Sequence, residues 1–316
     1  MAKLMTEVDV PADVPSAMEG LFEENFRTIT KGTGRLMLFA GDQKVEHLND
    51  DFFGSLSDGE RISEDDADPE HLFRIAREGI IGCFATQLGL IGRYARDYTT
   101  VPYLVKLNSK SHLIKTSQMD PRSLGWVSVE DALSLRDNGV HVVGVGFTVY
   151  LGSEFETEQM HEAARACHHA HRNGLLAILW VYPRGKAVPK EQDPHLIAGA
   201  TGLGAALGAD FCKVNYPKPE DGTPPAEAFK EAVKAAGRTR VITAGGGSTD
   251  VRKFLQTLHD QIFISGAYGS ATGRNIHQKS LPEAVRMTNA ISAVTYAGYD
   301  VDQAMAVYDG REQLTL

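Results

Sequence analysis

Eight short apolar runs recur from about residue 35 onward, each separated from the next by a longer amphipathic stretch. The runs are LMLFAGD (Leu36 to Asp42), GCFATQ (Gly82 to Gln87), PYLVKLN (Pro102 to Asn108) and HVVGVGF (His141 to Phe147). AILWVYP (Ala177 to Pro183), FCKVNYP (Phe211 to Pro217), VITAGGG (Val241 to Gly247) and IFISGAY (Ile262 to Tyr268) follow. Near-continuous apolar runs of this length suit parallel strands covered on both faces. Parallel strands need crossover helices, and the intervening segments supply them. EDALSLRDNG and ETEQMHEAARACHHAHRNG each end in a glycine stop, and PPAEAFKEAVKAAG opens on proline and closes on glycine. Eight such units predict a single-domain α/β chain, a (β/α)8 TIM barrel over residues 35–316 behind a short N-terminal extension, 1–34. An open doubly wound sheet is the rival. PEAVRMTNAISAVTYAG from Pro282 reads as the last helix, and the tail after Asp300 has too little pattern to assign. Residues 50–70 read as an acidic, mobile insertion after the first strand.

At 316 residues with 42% hydrophobic content, the chain can bury one large core. A net charge of −9 argues against a nucleic-acid partner but leaves room for a small anionic substrate at a locally positive site. The three cysteines, Cys83, Cys167 and Cys212, are odd in number and lack CxxC spacing, which fits a reducing compartment. No secretory signal or membrane span is legible, so the expectation is a soluble, cytoplasmic protein with no membrane partner.

In a barrel the chemistry gathers at the C-terminal strand ends. Those ends carry Asp42, Gln87, Lys106 with Asn108, Trp180 with Tyr182 and Arg184, Lys213 with Asn215, and Gly245, Gly246 and Gly247. Gly273 and Arg274 come after the eighth run. The period of two puts Trp180 and Tyr182 on one strand face and Lys213 on a face with Phe211 and Asn215. A lysine inside an apolar strand is costly to bury charged, and burial frees its amine as a nucleophile. Such an amine can add to a ketone, giving an iminium that draws electrons from a breaking carbon–carbon bond. An ammonium that merely reaches solvent at the strand end is the other reading of Lys213. Lys106 could be the amine, a phosphate ligand or the cation that depresses Lys213. Tyr182 could shuttle protons and Trp180 could wall the pocket, or both could be barrel filling. Asp42 could orient substrate or cap the following segment. AGGGS (Ala244 to Ser248) and GRN (Gly273 to Asn275) suit a phosphate, through close backbone approach, helix N–H groups and a guanidinium. HHAH (His168 to His171) reads as a solvated helix face. His47 and His112 follow strands, but no three-ligand zinc set is visible at strand ends.

The chain resembles the archaeal-type class I fructose-bisphosphate aldolases of the deoxyribose-phosphate aldolase-like superfamily. The resemblance runs from Leu36 to Gln278 and rests on D-x-x-V-E-H (Asp42 to His47), W-x-Y-P-R-G (Trp180 to Gly185), A-D-F-C-K-V (Ala209 to Val214), AGGGS and GRNIHQ (Gly273 to Gln278). It implies a Schiff-base Lys213, an acid/base Tyr182, an active-site carboxylate in Asp42 and a pocket shaped by Trp180. Lys106, Arg184, Gly245, Gly246, Gly247, Ser248, Gly273 and Arg274 are the expected substrate and phosphate binders. It also implies a homo-oligomer, a phosphorylated sugar substrate, and no metal or other cofactor. Two departures bear on the sugar: Asp42-Gln43-Lys44 stands where the family commonly has Asp-His-Gly, and the loop after Phe53 is long and acidic. The expected reaction is reversible cleavage of fructose 1,6-bisphosphate. A related transaldolase-like amino-sugar synthase, an acyl-transferring thiolase and a non-catalytic phosphosugar-binding barrel are the alternatives.

Overall fold

The computed structural model describes residues 7–56, 59–247 and 249–316. Eight parallel strands close into a barrel in the order β1 to β8. They are β1 (Leu36–Ala40), β2 (Cys83–Gln87), β3 (Tyr103–Lys106), β4 (Val142–Leu151), β5 (Leu176–Pro183), β6 (Phe211–Val214), β7 (Arg240–Ala244) and β8 (Gly269–Thr272). Alternate residues face inward, and Leu36, Leu38, Leu104, Ile178, Phe211 and Ile242 fill the barrel. Their neighbours face the surrounding helices in a second apolar layer that includes Phe39, Val105, Val149, Leu179 and Val241. Each fully buried side chain of this size contributes about 1.5–3 kcal/mol relative to exposure.

The segment before β1 plugs the end of the barrel opposite the strand C-termini. Helix Glu19–Thr30 buries Phe22, Phe26 and Ile29. Phe26 stacks on Phe211, the first inward residue of β6, with centroids 5.7 Å apart. This packing covers the barrel end opposite the strand C-termini.

Three sequence expectations need correction. The eighth strand is not Ile262–Tyr268: Ile262 and Phe263 end the helix Val251–Phe263, and the strand is Gly269–Thr272. GSAT has no apolar signature, because Gly269 and Ala271 fill the crowded interior while Ser270 and Thr272 bond each other at 3.1 Å. The segment from Pro282 is not the last helix: Val301–Tyr308 follows it, opened by a capping box between Asp300 and Gln303. The HHAH segment is not wholly solvated: His171 is buried on helix Glu156–Arg172 and bridges Asp13 and Asp210 at 2.9 and 3.3 Å.

The acidic insertion is tied down at several points. Phe52 is buried between the Lys44 ammonium, 3.8 Å from its ring centroid, and the His277 ring, stacked at 4.6 Å. Asp66 meets His277 Nδ1 at 2.7 Å, with both side chains fully buried.

Candidate active site

The register of β5 and β6 places Trp180 directly beside Lys213, and Tyr182 one inward step further toward the mouth. Lys213 is only 5% exposed, and its Nζ lies 5.1 Å from the centroid of the Trp180 ring. Lys106 approaches the same ring at 3.9 Å. A glycine makes this packing possible. At Gly146 on β4 a Cβ would sit 2.6 Å from the Trp180 ring and 3.1 Å from Lys106 Cδ, so any larger residue would evict the indole.

Lys106 is held rather than free. Its ammonium donates to Thr148 Oγ1 at 2.6 Å and lies 3.8 Å from Asp42 Oδ2. Asp42 stands at the start of the helical turn Gln43–Glu46, but its side chain makes no capping bond. Its Oδ2 and the Trp180 Nε1 are both buried without a hydrogen-bond partner in the protein. Buried polar atoms are normally satisfied, so these two carry unused hydrogen-bonding capacity.

The charges here are strongly shifted. Burial holds the Lys213 amine below the ordinary lysine range, opposed by Asp42 and Glu46 and reinforced by Arg274. Burial also pushes Lys106 down to about 8, against the pull of Asp42 and Glu46 and with a push from Lys213. The depression of Lys213 thus comes from its burial and from Arg274, while Lys106 is engaged by Thr148 and Asp42. Glu46 is pushed up to about 7 by burial and by the Asp42 charge. Burial, with the nearby Glu46 and Asp42, raises Tyr182 well above the ordinary phenol range, so it holds its proton at neutral pH.

A cavity of about 460 Å³ opens above these groups at the C-terminal mouth, lined by Lys213, Tyr182, Asn215, Arg184, Gly245 and Arg274 among others. Gly246 and Gly273 also line it. Gly273 must be glycine, since a Cβ there would lie 2.6 Å from the carbonyl oxygen of Ala40. Arg184 is fixed by Glu191, with Nε 3.1 Å from each carboxylate oxygen. Arg274 Nε lies 3.7 Å from Asp51 Oδ2. Of the other expected site residues, Asp42, Trp180 and Lys106 are outside the lining of this cavity, Gly247 is exposed beyond it, and Ser248 falls outside the described residues.

Two residues of this region were missed by the sequence reading. Asn275 donates to the carbonyls of Gly245 and Gly247 at 3.0 and 2.9 Å and accepts from the Thr249 N–H at 3.1 Å. It therefore joins the loop after β7 to the loop after β8. Glu46 lines the cavity four residues after Asp42, on the same helical turn; that spacing was the available signal. The structure also corrects the absence of a three-donor set at the strand ends. Glu46, His47 and His112 bring one ligand atom each within 4.8 Å of one another at the mouth. A larger groove, about 800 Å³, lies outside the barrel wall against helices Val129–Asp137 and Glu156–Arg172 and contains none of these groups.

Residues 36–279, the whole barrel wall with its glycine and arginine loops, match the DeoC/LacD family aldolase. The chain belongs to this family of aldolases. It is 56% identical over 305 residues to a fructose-bisphosphate aldolase/6-deoxy-5-ketofructose 1-phosphate synthase of Methanocaldococcus jannaschii, covering 96% of this chain and 95% of that one. A fructose-bisphosphate aldolase structure from Slackia heliotrinireducens superposes with a TM-score of 0.96 at 54% identity, covering 99% and 98% of the two chains. An archaeal fructose-1,6-bisphosphate aldolase, whose catalytic lysine was captured covalently bound to the carbinolamine intermediate, superposes with a TM-score of 0.74 at 31% identity. That match covers 87% of this aldolase and 99% of the archaeal chain. No helix among the described residues is long and apolar enough to cross a membrane.

Proposed function

We propose that this aldolase reversibly cleaves fructose 1,6-bisphosphate through a Schiff base on Lys213. One observation carries the assignment. Lys213 is a buried, charge-depressed lysine that opens onto a cavity walled by Tyr182 on one side and by paired glycine and arginine loops on the other.

The steps follow from that placement. The neutral Lys213 amine adds to the C2 carbonyl of the open-chain ketose, giving a carbinolamine that loses water to the iminium. Tyr182, protonated at rest, gives its proton to the hydroxyl that leaves the carbinolamine as water; the phenolate so formed takes the C4 hydroxyl proton as the C3–C4 bond breaks, and the electrons of that bond pass into the iminium. Glyceraldehyde 3-phosphate leaves. Protonation of the enamine at C3 and hydrolysis of the imine return Lys213 and release dihydroxyacetone phosphate. The Gly245, Gly246 and Gly273 backbone with Arg274 holds the C1 phosphate, and Asn275 keeps the two loops in register. Arg184, braced by Glu191, supplies positive charge across the cavity. Asp42 and Trp180 stand outside the cavity lining, Asp42 beside the Lys106 ammonium and Trp180 against Lys213, and act on the sugar through those lysines. No metal enters any step.

The same enamine can add to an aldehyde other than glyceraldehyde 3-phosphate. The second half of the name of the M. jannaschii relative supports that reading. A coupled assay for triose phosphate decides between them: cleavage of fructose 1,6-bisphosphate supports the first, and product formed only with a second aldehyde present supports the second. Tyr182→Phe should lower kcat by about 10²–10⁴ with little change in KM. Wild-type turnover in that variant would remove the proton-shuttle role.

We also propose that the enzyme serves glycolysis and gluconeogenesis in the cytoplasm as a homo-oligomer. Leu113, Ile114, Met119 and Trp126 are exposed on the loop that follows β3, and such apolar exposure suits a subunit contact. Sedimentation analysis as a monomer at micromolar concentration would contradict the oligomer.

A further inference from the structure

The cavity mouth carries donors that the aldol steps leave unused. Glu46 closes the helical turn after Asp42, His47 follows it, and His112 comes from the loop after β3. The two loops are stitched together where the donors meet: the His112 N–H donates to the Glu46 carbonyl at 2.8 Å. The imidazoles of His47 and His112 stack with centroids 4.9 Å apart and planes within 10°. One ligand atom from each of the three side chains lies within 4.8 Å of the other two.

We propose that Glu46, His47 and His112 bind a divalent transition-metal ion of the zinc class, and that the bound ion inhibits the aldolase. Two imidazoles and one carboxylate form a donor set that favours zinc, cobalt or nickel over magnesium or calcium. Bonds of about 2.0–2.2 Å to such an ion require the donors to close by roughly 1 Å, a matter of side-chain rotation. A carboxylate stands next to one of the two histidines, a partner that metal-bound imidazoles commonly have. Asp51 Oδ2, which also lies 3.7 Å from Arg274 Nε, is 3.9 Å from His47 Nδ1 and can accept the ring N–H once Nε2 binds the ion. The three side chains take up one part of the coordination shell, and the cavity offers open positions for water or a substrate oxygen. Inhibition follows from location. The ion would draw the Glu46 carboxylate away from the lysines, add positive charge near Lys213 and occupy the path by which a sugar phosphate enters.

The metal-binding half of this inference is independent of which sugar the enzyme cleaves. Full-length protein stripped with a chelator and dialysed is titrated with zinc chloride against a chromophoric competitor. The inference predicts one saturable site per chain of micromolar affinity or tighter, weakened at least tenfold in both His112→Asn and His47→Gln. It also predicts that cobalt gives visible absorption bands which both variants lose, and that magnesium does not compete. Zinc should inhibit the wild type reversibly, with chelator restoring activity. Each variant, scaled to its own metal-free rate, should need at least tenfold more zinc. Cys83, Cys167 and Cys212 are buried and do not offer a competing thiol site. Absence of saturable zinc binding below the millimolar range would overturn the proposal, as would binding of unchanged affinity in both histidine variants. Tight binding without inhibition would overturn its inhibitory half.

Discussion

Replacing His171 should flatten the dependence of stability on pH. The ring is buried in the last turn of helix Glu156–Arg172, with Nδ1 2.9 Å from Asp13 and Nε2 3.3 Å from Asp210. Burial disfavours its charge, but the hydrogen bonds and charges of Asp210 and Asp13 outweigh that and raise it from 6.5 to about 9. The folded chain therefore binds this proton more tightly than the unfolded chain. The stabilisation is complete below about pH 6.5 and is lost as pH rises through about 9. A gap of about 2.5 (9 minus 6.5) corresponds to about 3 kcal/mol. With an unfolding entropy of about 2.1 cal/mol/K per residue over 316 residues, that is a shift in Tm of about 4–5 °C. The bridge matters for the site because Asp210 also accepts the Ala177 N–H at 2.8 Å, fixing β5 against β6 below Trp180 and Lys213. Calorimetric scans of wild type and His171→Asn at about pH 6, 7.5 and 9.5 give the test. The wild type should lose several degrees that the variant does not, and the two should converge at the alkaline end. Parallel loss of Tm in both proteins would refute the assignment of the proton to His171.

Other consequences are equally direct. Gly146→Ala drives a methyl group into the Trp180 ring, so it should cost about 1–3 kcal/mol in chemical denaturation and lower kcat; full stability would show that the indole can move freely. Asn275→Ala removes two bonds to the glycine-loop carbonyls and one from Thr249, so KM should rise about tenfold or more with kcat less affected, and an unchanged KM would separate that loop from phosphate binding. Arg274→Gln removes a cation that keeps the Lys213 amine free, so the alkaline rise of kcat/KM should move to higher pH, whereas Arg274→Lys should restore it.

Much of this site could be read from strand ends alone. Lys213, Trp180 and Tyr182 obey the period of two on long apolar runs, and the barrel closes with them facing inward. β8 escaped because its four residues are too small and polar to mark a strand, while the buried end of the preceding helix imitated one. Lys106 illustrates a different limit. Its strand and face were legible, but its engagement by Thr148 and Asp42 depends on contacts 42 and 64 positions away in sequence (148 minus 106, 106 minus 42). His171 was read as surface because a helix pattern does not reveal that two aspartates, one 158 positions distant, close over the ring. Glu46 and Asn275 sat inside recognised motifs, yet their parts in the cavity come only from how the loops fold over the mouth.

The central claim is the identity of the imine-forming lysine. Borohydride reduction in the presence of dihydroxyacetone phosphate or fructose 1,6-bisphosphate, followed by peptide mass spectrometry, addresses it directly. The account predicts one reduced adduct, on the peptide carrying Lys213, and none in Lys213→Met. An adduct on Lys106 would contradict the assignment of the nucleophile, and no adduct under conditions where the ligand binds would contradict the Schiff-base mechanism itself.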